Sequence, residues 1–356
     1  MKKRLISGVL VAAMTASLFA GCGAQPAADN GGSAASTDEA ATAETTAADD
    51  YHITLKMSHV FAPDEQLTKS LTIVCENIEK RTDGHVVIEQ YPQGQLATYK
   101  DGVEQVVRGA DFISVEDPSY LGDYVPDFNA LVGPFMYNSF DEYEYVINSD
   151  LVKGWEEQLE EQGIHVLALD YIFGFRCLMT NKEIKTPDDL KGMKIRVPGS
   201  DLFVNTFNKL GCTATPMAFS ETISAVQQGV VDGLEGTMDA YGSNGSAEVA
   251  KNFGLTNHFL GTCGVYISTE VWNNMPEEYR TIVDEEFKAG AQQMISEVTN
   301  NYDATQARLE KEQGIKVNEV DVDAFAEATK SIYDEMEGTT PGVYDELKKL
   351  VEESHK

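Results

Sequence analysis

Positive charge is scarce in this chain: 27 lysines and arginines stand against 58 aspartates and glutamates, a formal net charge of −31. This imbalance excludes nucleic acids and anionic lipid surfaces as binding partners, because their phosphates would be repelled before contact. The chain has 356 residues, of which 42% are hydrophobic. That is enough for one large or two medium globular domains with a substantial core.

Cysteine is also rare, with five in the chain, and none shows the spacing of a metal-binding motif. Four stand among apolar neighbours and are expected to be buried free thiols, although an exported protein can pair cysteines as disulfides: Cys75, Cys177, Cys212 and Cys263. The sequence lacks Gly-x-Ser-x-Gly, His-Glu-x-x-His and the glycine patterns of nucleotide-binding loops. No metal site, cofactor or catalytic residue is therefore predicted.

A short apolar run opens the chain. Basic residues at positions 2–4 precede apolar residues up to position 20, the pattern of an export signal, which we place at residues 1–21. Cys22 follows Ala-Gly as in the lipobox of bacterial lipoproteins. That resemblance implies cleavage before Cys22 and lipidation of its thiol; an ordinary cleaved signal with a free cysteine is the alternative. Residues 22–50 are mostly small and acidic without aromatics, which predicts a disordered tether.

From residue 51 onward, strand and helix patterns alternate at the spacing of crossover connections. This predicts an α/β fold with a mainly parallel sheet covered by helices. The order of elements implies two lobes with a cleft between them: lobe I over 51–172, rejoined by 262–300, and lobe II over 173–261, with 301–356 packing on the lobes. An apolar helical period from Pro276 to about Lys311, interrupted only by Gly290, predicts one long helix lying across both lobes.

Two arginines stand where a binding cleft is expected. Arg196 lies near the end of a short strand that Pro198 terminates, and the carboxyl ends of parallel strands border ligand clefts. Its planar guanidinium matches a carboxylate through two parallel hydrogen bonds. A small carboxylate ligand is therefore the predicted partner, and a structural ion pair is the alternative. Arg176 follows a buried strand and either shares the same anion or braces its lobe.

Further candidates stand at strand ends and helix starts. Phe219 is either a wall of the cleft or a hydrophobic staple for the next helix. Glu235 is placed to bind ligand hydroxyls or to pair with Arg196, and the nearby Gly236 and Asp239 are also predicted to bind the ligand. A catalytic pair of Glu235 with Asp239 stays open. The first lobe adds four polar candidates, each of which has a structural alternative: His59, Asp64, Tyr99 and Asp117.

Four segments together resemble a known family: TPDDLKGMKIRVP at 186–198, LGCTATPMAFSE at 210–221, QQGVVDGLE at 227–235 and YPQGQL at 91–96. Over roughly residues 52–345, the chain resembles the solute-binding proteins of TRAP transporters, the DctP type. The resemblance implies a two-lobed fold like that of type II periplasmic binding proteins, which closes around an organic acid. It also implies a sodium-driven membrane permease as partner, and Arg196, Arg176 and Phe219 as ligand contacts.

The chain departs from that family in two regions of ligand contact. Gly236-Thr237 stands where many relatives carry Asn-Pro or Pro-Pro, and Tyr99 stands where many carry a glutamate. We therefore predict a lipid-anchored receptor for a sugar acid or dicarboxylate, on the outer face of the cell membrane, without adopting the ligand of any one relative. An exported enzyme acting on a small carboxylate is the alternative, and a co-receptor for another protein is a third hypothesis.

Overall fold

The computed structural model describes residues 50–356, which form one mixed β-sheet packed by helices. The predicted signal peptide 1–21, the lipidation site Cys22 and all but the last residue of the tether lie outside the described residues. The strands are β1 Ile53–Ser58, β2 Val86–Tyr91, β3 Phe112–Glu116, β4 Ile164–Thr180, β5 Lys194–Val197, β6 Thr213–Pro216, β7 Gly233–Gly236, β8 Asn252–Ser268 and β9 Lys316–Asn318.

The helices follow the strands in the alternation expected from the sequence. They are α1 Gln66–Arg81, α2 Tyr99–Val107, α3 Asp127–Leu131, α4 Phe140–Ile147, α5 Asp150–Glu161, α6 Asp201–Lys209, α7 Thr222–Gln227, α8 Met238–Ser243, α9 Ser246–Val249, α10 Thr269–Asn274, α11 Glu277–Gln313, α12 Val322–Thr329, α13 Ile332–Glu335 and α14 Val343–Glu353. Short 3₁₀ turns stand at Pro118–Asp123, Pro187–Leu190 and Phe219–Glu221.

The sheet has the strand order β2-β1-β3-β8-β4-β7-β5-β6, with β9 pairing with β8. On one side β1 is parallel to β2 and β3, and on the other β5 is parallel to β6 and β7. Between them β4 and β8 run antiparallel to each other and to their outer neighbours β7 and β3. The predicted parallel sheet is therefore present in each lobe and absent at the centre, because two long strands cross between the lobes in opposite directions.

Strands β4 and β8 are each 17 residues long and belong to both lobes. Gly174 faces Gly261 near their middle, where the register shifts. Gly174 has a φ of +107°, and a Cβ at Gly261 would lie 2.7 Å from the carbonyl oxygen of Gly174. Both positions therefore require glycine. The predicted lobe boundary at residue 172 falls inside β4, so the limits of lobe I and lobe II stay a prediction.

The long helix α11 spans 37 residues, and its two ends pack in different lobes. Val283, Phe287 and Met294 belong to the core around β1 and β3, whereas Leu309 belongs to the core around β7 with Phe253. The sequence prediction of one helix across both lobes is therefore confirmed.

The four cysteines within residues 50–356 are free and buried, as predicted. In the same part of the chain, no helix combines the length and the apolar character needed to cross a lipid bilayer.

Candidate functional site

A cavity lies between the two lobes, at the carboxyl ends of β3, β5 and β7. This is the edge where parallel strands of α/β proteins border their ligands. Seven of the ten predicted ligand-binding residues line the cavity: Arg176, Arg196, Phe219, Glu235, Gly236, Tyr99 and Asp117.

Arg176 and Glu235 form a buried ion pair at the base of the cavity. Arg176 donates from Nε to Oε2 at 2.6 Å and from Nη2 to Oε1 at 2.5 Å, the bidentate geometry of an arginine with a carboxylate. Burial opposes the ionisation of Glu235, but Arg176, with the nearby His258, holds the pKa of Glu235 at about 2. Burial also opposes the charge of Arg176, yet attraction to Glu235 raises its pKa. The two charges therefore cancel each other.

Arg196 lies beside this pair but has no carboxylate of its own. Its side chain is 2% exposed, and its Nη1 is 3.9 Å from the nearest carboxylate oxygen, which Glu235 already shares with Arg176. Nε and Nη2 donate to the carbonyl oxygen of Met217 at 3.1 and 2.8 Å. Burial lowers the pKa of Arg196, which is the sign of a desolvated cation without a full counter-charge. Arg196 is therefore the uncompensated positive charge of the cavity.

Tyr99 and Phe219 surround the guanidinium of Arg196. The Phe219 ring centroid is 5.2 Å from its central carbon, within the range of a cation–π contact. The Tyr99 hydroxyl is 3.5 Å from Arg196 Nη2 and accepts a hydrogen bond from the Phe219 backbone N–H at 2.9 Å. Phe219 thus forms a wall of the cavity rather than only the start of a helix.

Asp117 and Gly236 complete the predicted residues in the cavity. Asp117 Oδ1 accepts a hydrogen bond from the Ser119 backbone N–H at 2.9 Å. Burial raises the pKa of Asp117, although the charge of Arg176 works in the opposite direction. Gly236 ends β7, and a Cβ there would come within 3.2 Å of the Met179 methyl carbon. This small residue keeps the backbone of the strand end accessible to the cavity.

Three predicted residues do not line the cavity. His59 is buried behind it, with Nε2 at 3.0 Å from the Gln90 amide nitrogen. Asp64 is exposed in the loop before α1. Asp239 accepts a hydrogen bond at 2.9 Å from the backbone N–H of Gln66, the first residue of α1. Asp239 therefore joins the two lobes beside the cavity, and nothing pairs it with Glu235 as a catalytic acid.

The residues that line the cavity but were not predicted include Glu65, Glu116 and Tyr120. Burial raises the pKa of both Glu65 and Glu116 to about 8. Glu116 ends an apolar strand next to the predicted Asp117, and this position is a signal that the sequence pattern does offer. Glu65 and Tyr120 carry no such signal, because only the folded chain brings the start of α1 and the turn after β3 to one cavity.

Within residues 50–356, no group of three or more histidine, cysteine, aspartate and glutamate side chains is arranged to hold a metal ion. The chemistry that the site offers is therefore that of one uncompensated arginine, an aromatic wall and several buried hydrogen-bonding groups. Such a set of groups binds an anion that also carries hydroxyls.

Residues 57–339 match the family described as bacterial extracellular solute-binding protein, family 7, also called DctP. The chain belongs to this family. Its members are solute-binding receptors that act outside the cytoplasm. The resemblance inferred from the sequence motifs is thereby confirmed, and so is the two-lobed α/β fold.

Three solved structures of TRAP periplasmic solute-binding proteins resemble this DctP-family chain. A protein from Desulfovibrio salexigens in complex with diglycerolphosphate is 53% identical, covers 86% of this chain and 98% of its own, and superposes with a TM-score of 0.84. A protein from Fusobacterium nucleatum with bound sn-glycerol-3-phosphate is 40% identical over 85% of this chain and 98% of its own, with a TM-score of 0.83. A protein from Actinobacillus succinogenes with bound L-galactonate is 28% identical over 85% of this chain and 100% of its own, with a TM-score of 0.81.

Proposed function

We propose that this chain is the receptor that captures a small hydroxylated anion for a sodium-coupled TRAP permease, with Arg196 as the anchor of the anion. The observation that carries the proposal is the charge of Arg196, which is 2% exposed and lies 3.9 Å from a carboxylate that another arginine already occupies. A buried charge without a partner is strongly unfavourable. An anionic ligand supplies that partner.

The anion is either a phosphate ester of glycerol or a sugar acid. Both kinds of molecule join one anionic group to several hydroxyls, and both occur among the ligands of the three similar structures. We place glycerol phosphates first, because the relatives holding them are 53% and 40% identical to this chain, against 28% for the relative holding L-galactonate. This choice extends the sequence prediction of a carboxylate ligand to a phosphate ester.

Isothermal titration calorimetry on the purified extracytoplasmic part tests the anchor. Wild type is titrated with diglycerol phosphate, glycerol-3-phosphate, galactonate and glycerol, and we expect binding of the anions but not of glycerol. Losing one partner of a buried charge pair costs about 2–5 kcal/mol, so Arg196→Gln should weaken binding by tens- to thousands-fold. Lys194→Gln, on the exposed side of the same strand, is the matched control. Unchanged affinity in Arg196→Gln would overturn the assignment.

The alternative of an exported enzyme is tested in the same samples. We expect the ligand recovered from the protein to be chemically unchanged by NMR. Conversion of the bound ligand into a product would show that the protein is an enzyme and not a receptor.

We also propose that Cys22 carries the lipid that holds the receptor at the membrane. The basis is the apolar run and the Ala-Gly-Cys sequence that precede the tether. Wild type should partition with the membrane fraction, and Cys22→Ser should be released, as quantitative immunoblotting of the fractions will measure. A wild-type protein found entirely in the soluble extracytoplasmic fraction would contradict the anchor.

A further inference from the structure

Two acids and a phenol from lobe I line the cavity that contains Arg196. Glu65 stands before α1, Glu116 ends β3, and Tyr120 lies in the 3₁₀ turn after it. They are 2%, 3% and 6% exposed. All three line the same cavity as Arg196.

Each of the two acids uses one oxygen to hold the backbone. Glu65 Oε1 accepts from the Ala62 N–H at 2.8 Å, and Glu116 Oε1 accepts from the Tyr99 N–H at 2.6 Å. Among the described residues, neither Oε2 has a hydrogen-bond donor and neither carboxyl has a salt bridge. Both groups therefore retain hydrogen-bonding capacity within the cavity.

The Tyr120 hydroxyl independently indicates a place where a ligand can form a hydrogen bond. Its hydroxyl is buried and makes no hydrogen bond to any residue in the described range. A buried hydroxyl without a partner is unfavourable by the loss of its hydration. Because Tyr120 lines the cavity, a ligand in the cavity can supply that partner.

We propose that Glu65, Glu116 and Tyr120 form a hydroxyl-binding wall that recognises the uncharged tail of the ligand and excludes a second anionic group. This inference rests on the proposed function, in which Arg196 holds the anionic end. The carboxyl oxygens accept hydrogen bonds from ligand hydroxyls, and the Tyr120 hydroxyl donates or accepts one.

The balance of charges in the cavity explains the exclusion. Glu235 neutralises Arg176, so Arg196 is the cation that remains for the anionic group of the ligand. A second anionic group would face the wall together with Asp117, a third carboxyl of the cavity, and the cation near Asp117 is Arg176, which Glu235 already holds. Desolvating a charge beside such groups is costly. The site therefore selects a polyol with one anionic group over a dicarboxylate.

Two ligand comparisons test the wall in the wild-type protein at pH 7. Dipropyl phosphate has the skeleton and charge of diglycerol phosphate without its hydroxyls, and galactarate is galactonate with a second carboxylate. Calorimetry should give weaker binding, by about tenfold or more, for dipropyl phosphate than for diglycerol phosphate and for galactarate than for galactonate. Equal affinity within both pairs of ligands would contradict the proposal of a hydroxyl-binding wall. Failure of every anion to bind overturns the receptor function instead.

Variants assign the preference to named side chains. Tyr120→Phe removes a hydroxyl that has no partner among the described residues, so the fold should persist while the preference for diglycerol phosphate over dipropyl phosphate shrinks severalfold. Tyr143→Phe is the matched control, since this buried tyrosine donates to the Leu169 carbonyl at 3.0 Å and does not line the cavity. It should leave the preference unchanged. If Tyr120→Phe keeps the full preference for diglycerol phosphate over dipropyl phosphate, Tyr120 does not belong to the hydroxyl-binding wall.

Glu116→Gln tests the exclusion of a second anionic group, measured at pH 9 so that the wild-type carboxyl, whose pKa burial raises to about 8, is ionised. The amide keeps an oxygen for the Tyr99 N–H and adds N–H donors that an anion can use. We expect the preference for galactonate over galactarate to narrow severalfold. Glu142→Gln, at another buried carboxyl that accepts a backbone N–H outside the cavity, should not change it. An unaltered preference in Glu116→Gln would show that this carboxyl does not exclude the second charge.

Discussion

At the scale of single residues, Glu65 and Glu116 link the binding cavity to the pH dependence of stability. Burial raises the pKa of both carboxyls from 4.5 to about 8. Below pH 4.5 both carboxyls are protonated in the folded and in the unfolded chain. Their contribution to the free energy of unfolding is then at its largest. Between pH 4.5 and 8 only the folded chain holds them, so the free energy of unfolding falls by about 1.4 kcal/mol per pH unit for each carboxyl.

Glu116→Gln should remove the part of this pH dependence that comes from Glu116. The variant gains stability relative to wild type as the pH rises from 5 to 8, because glutamine has no proton to lose, and the difference levels off above pH 8. Urea denaturation at a series of pH values measures this difference. Glu278→Gln, at an exposed position, controls for the removal of one negative charge. Wild-type and Glu116→Gln stabilities that stay parallel over this range would contradict the assignment.

Arg176 and Arg196 show what the sequence can and cannot predict about single residues. The sequence leaves Arg196 open between a ligand contact and a structural ion pair, and Arg176 open between sharing the same anion and bracing its lobe. The structure distinguishes them, because Glu235 meets Arg176 at 2.5 Å and leaves Arg196 at 3.9 Å. The partner is 59 residues from Arg176 along the chain, so no local pattern could have made the distinction.

At the scale of elements, the sequence predicts helices better than long strands. The apolar period of α11 runs through the whole helix and was recognised. Strand β4 crosses the predicted limit of lobe I at residue 172 and continues past Gly174, a residue that weakens a strand, to Thr180. The neighbour β8 pairs with it on both sides of Gly174. This long-range pairing overrides the local break.

At Gly290, α11 packs closely against lobe I. A Cβ at this position would lie 2.3 Å from Val74 Cγ2 on α1 and 2.7 Å from the Tyr171 hydroxyl on β4. Ser70 donates a hydrogen bond to the Gly290 carbonyl at 2.8 Å, which fixes the two helices at this distance. Glycine is therefore kept here for close packing, although it weakens a helix by about 1 kcal/mol relative to alanine.

Gly290→Ala should lower the free energy of unfolding by about 1–3 kcal/mol, because overpacking outweighs the gain in helix propensity. Gly154→Ala is the matched control in the interior of α5, where a Cβ would meet no atom within 4 Å. That substitution should stabilise the protein by about 0.5–1 kcal/mol. Urea denaturation of both variants measures the difference. A stabilised Gly290→Ala would mean that α11 does not pack this closely on lobe I.

At the scale of the whole molecule, two hydrogen bonds join the lobes beside the cavity. Asp239 after β7 accepts from the first N–H of α1, and the Tyr99 hydroxyl accepts from the Phe219 N–H while lying 3.5 Å from Arg196. Only the second of these touches the residue that would hold the anion. Tyr99 therefore links the contact between the lobes to Arg196.

Tyr99→Phe removes this connection and keeps the ring. A hydrogen bond contributes about 0.5–1.5 kcal/mol, so ligand affinity should fall by about two- to tenfold, mostly through faster dissociation, as the lobes separate more readily. Stopped-flow kinetics measures the rate, and small-angle X-ray scattering should show a more open average shape in the ligand-free variant. Tyr91→Phe is the control, because its hydroxyl bonds only to Glu89 on the same strand. A dissociation rate and a scattering profile equal to wild type would show that Tyr99 does not hold the lobes together.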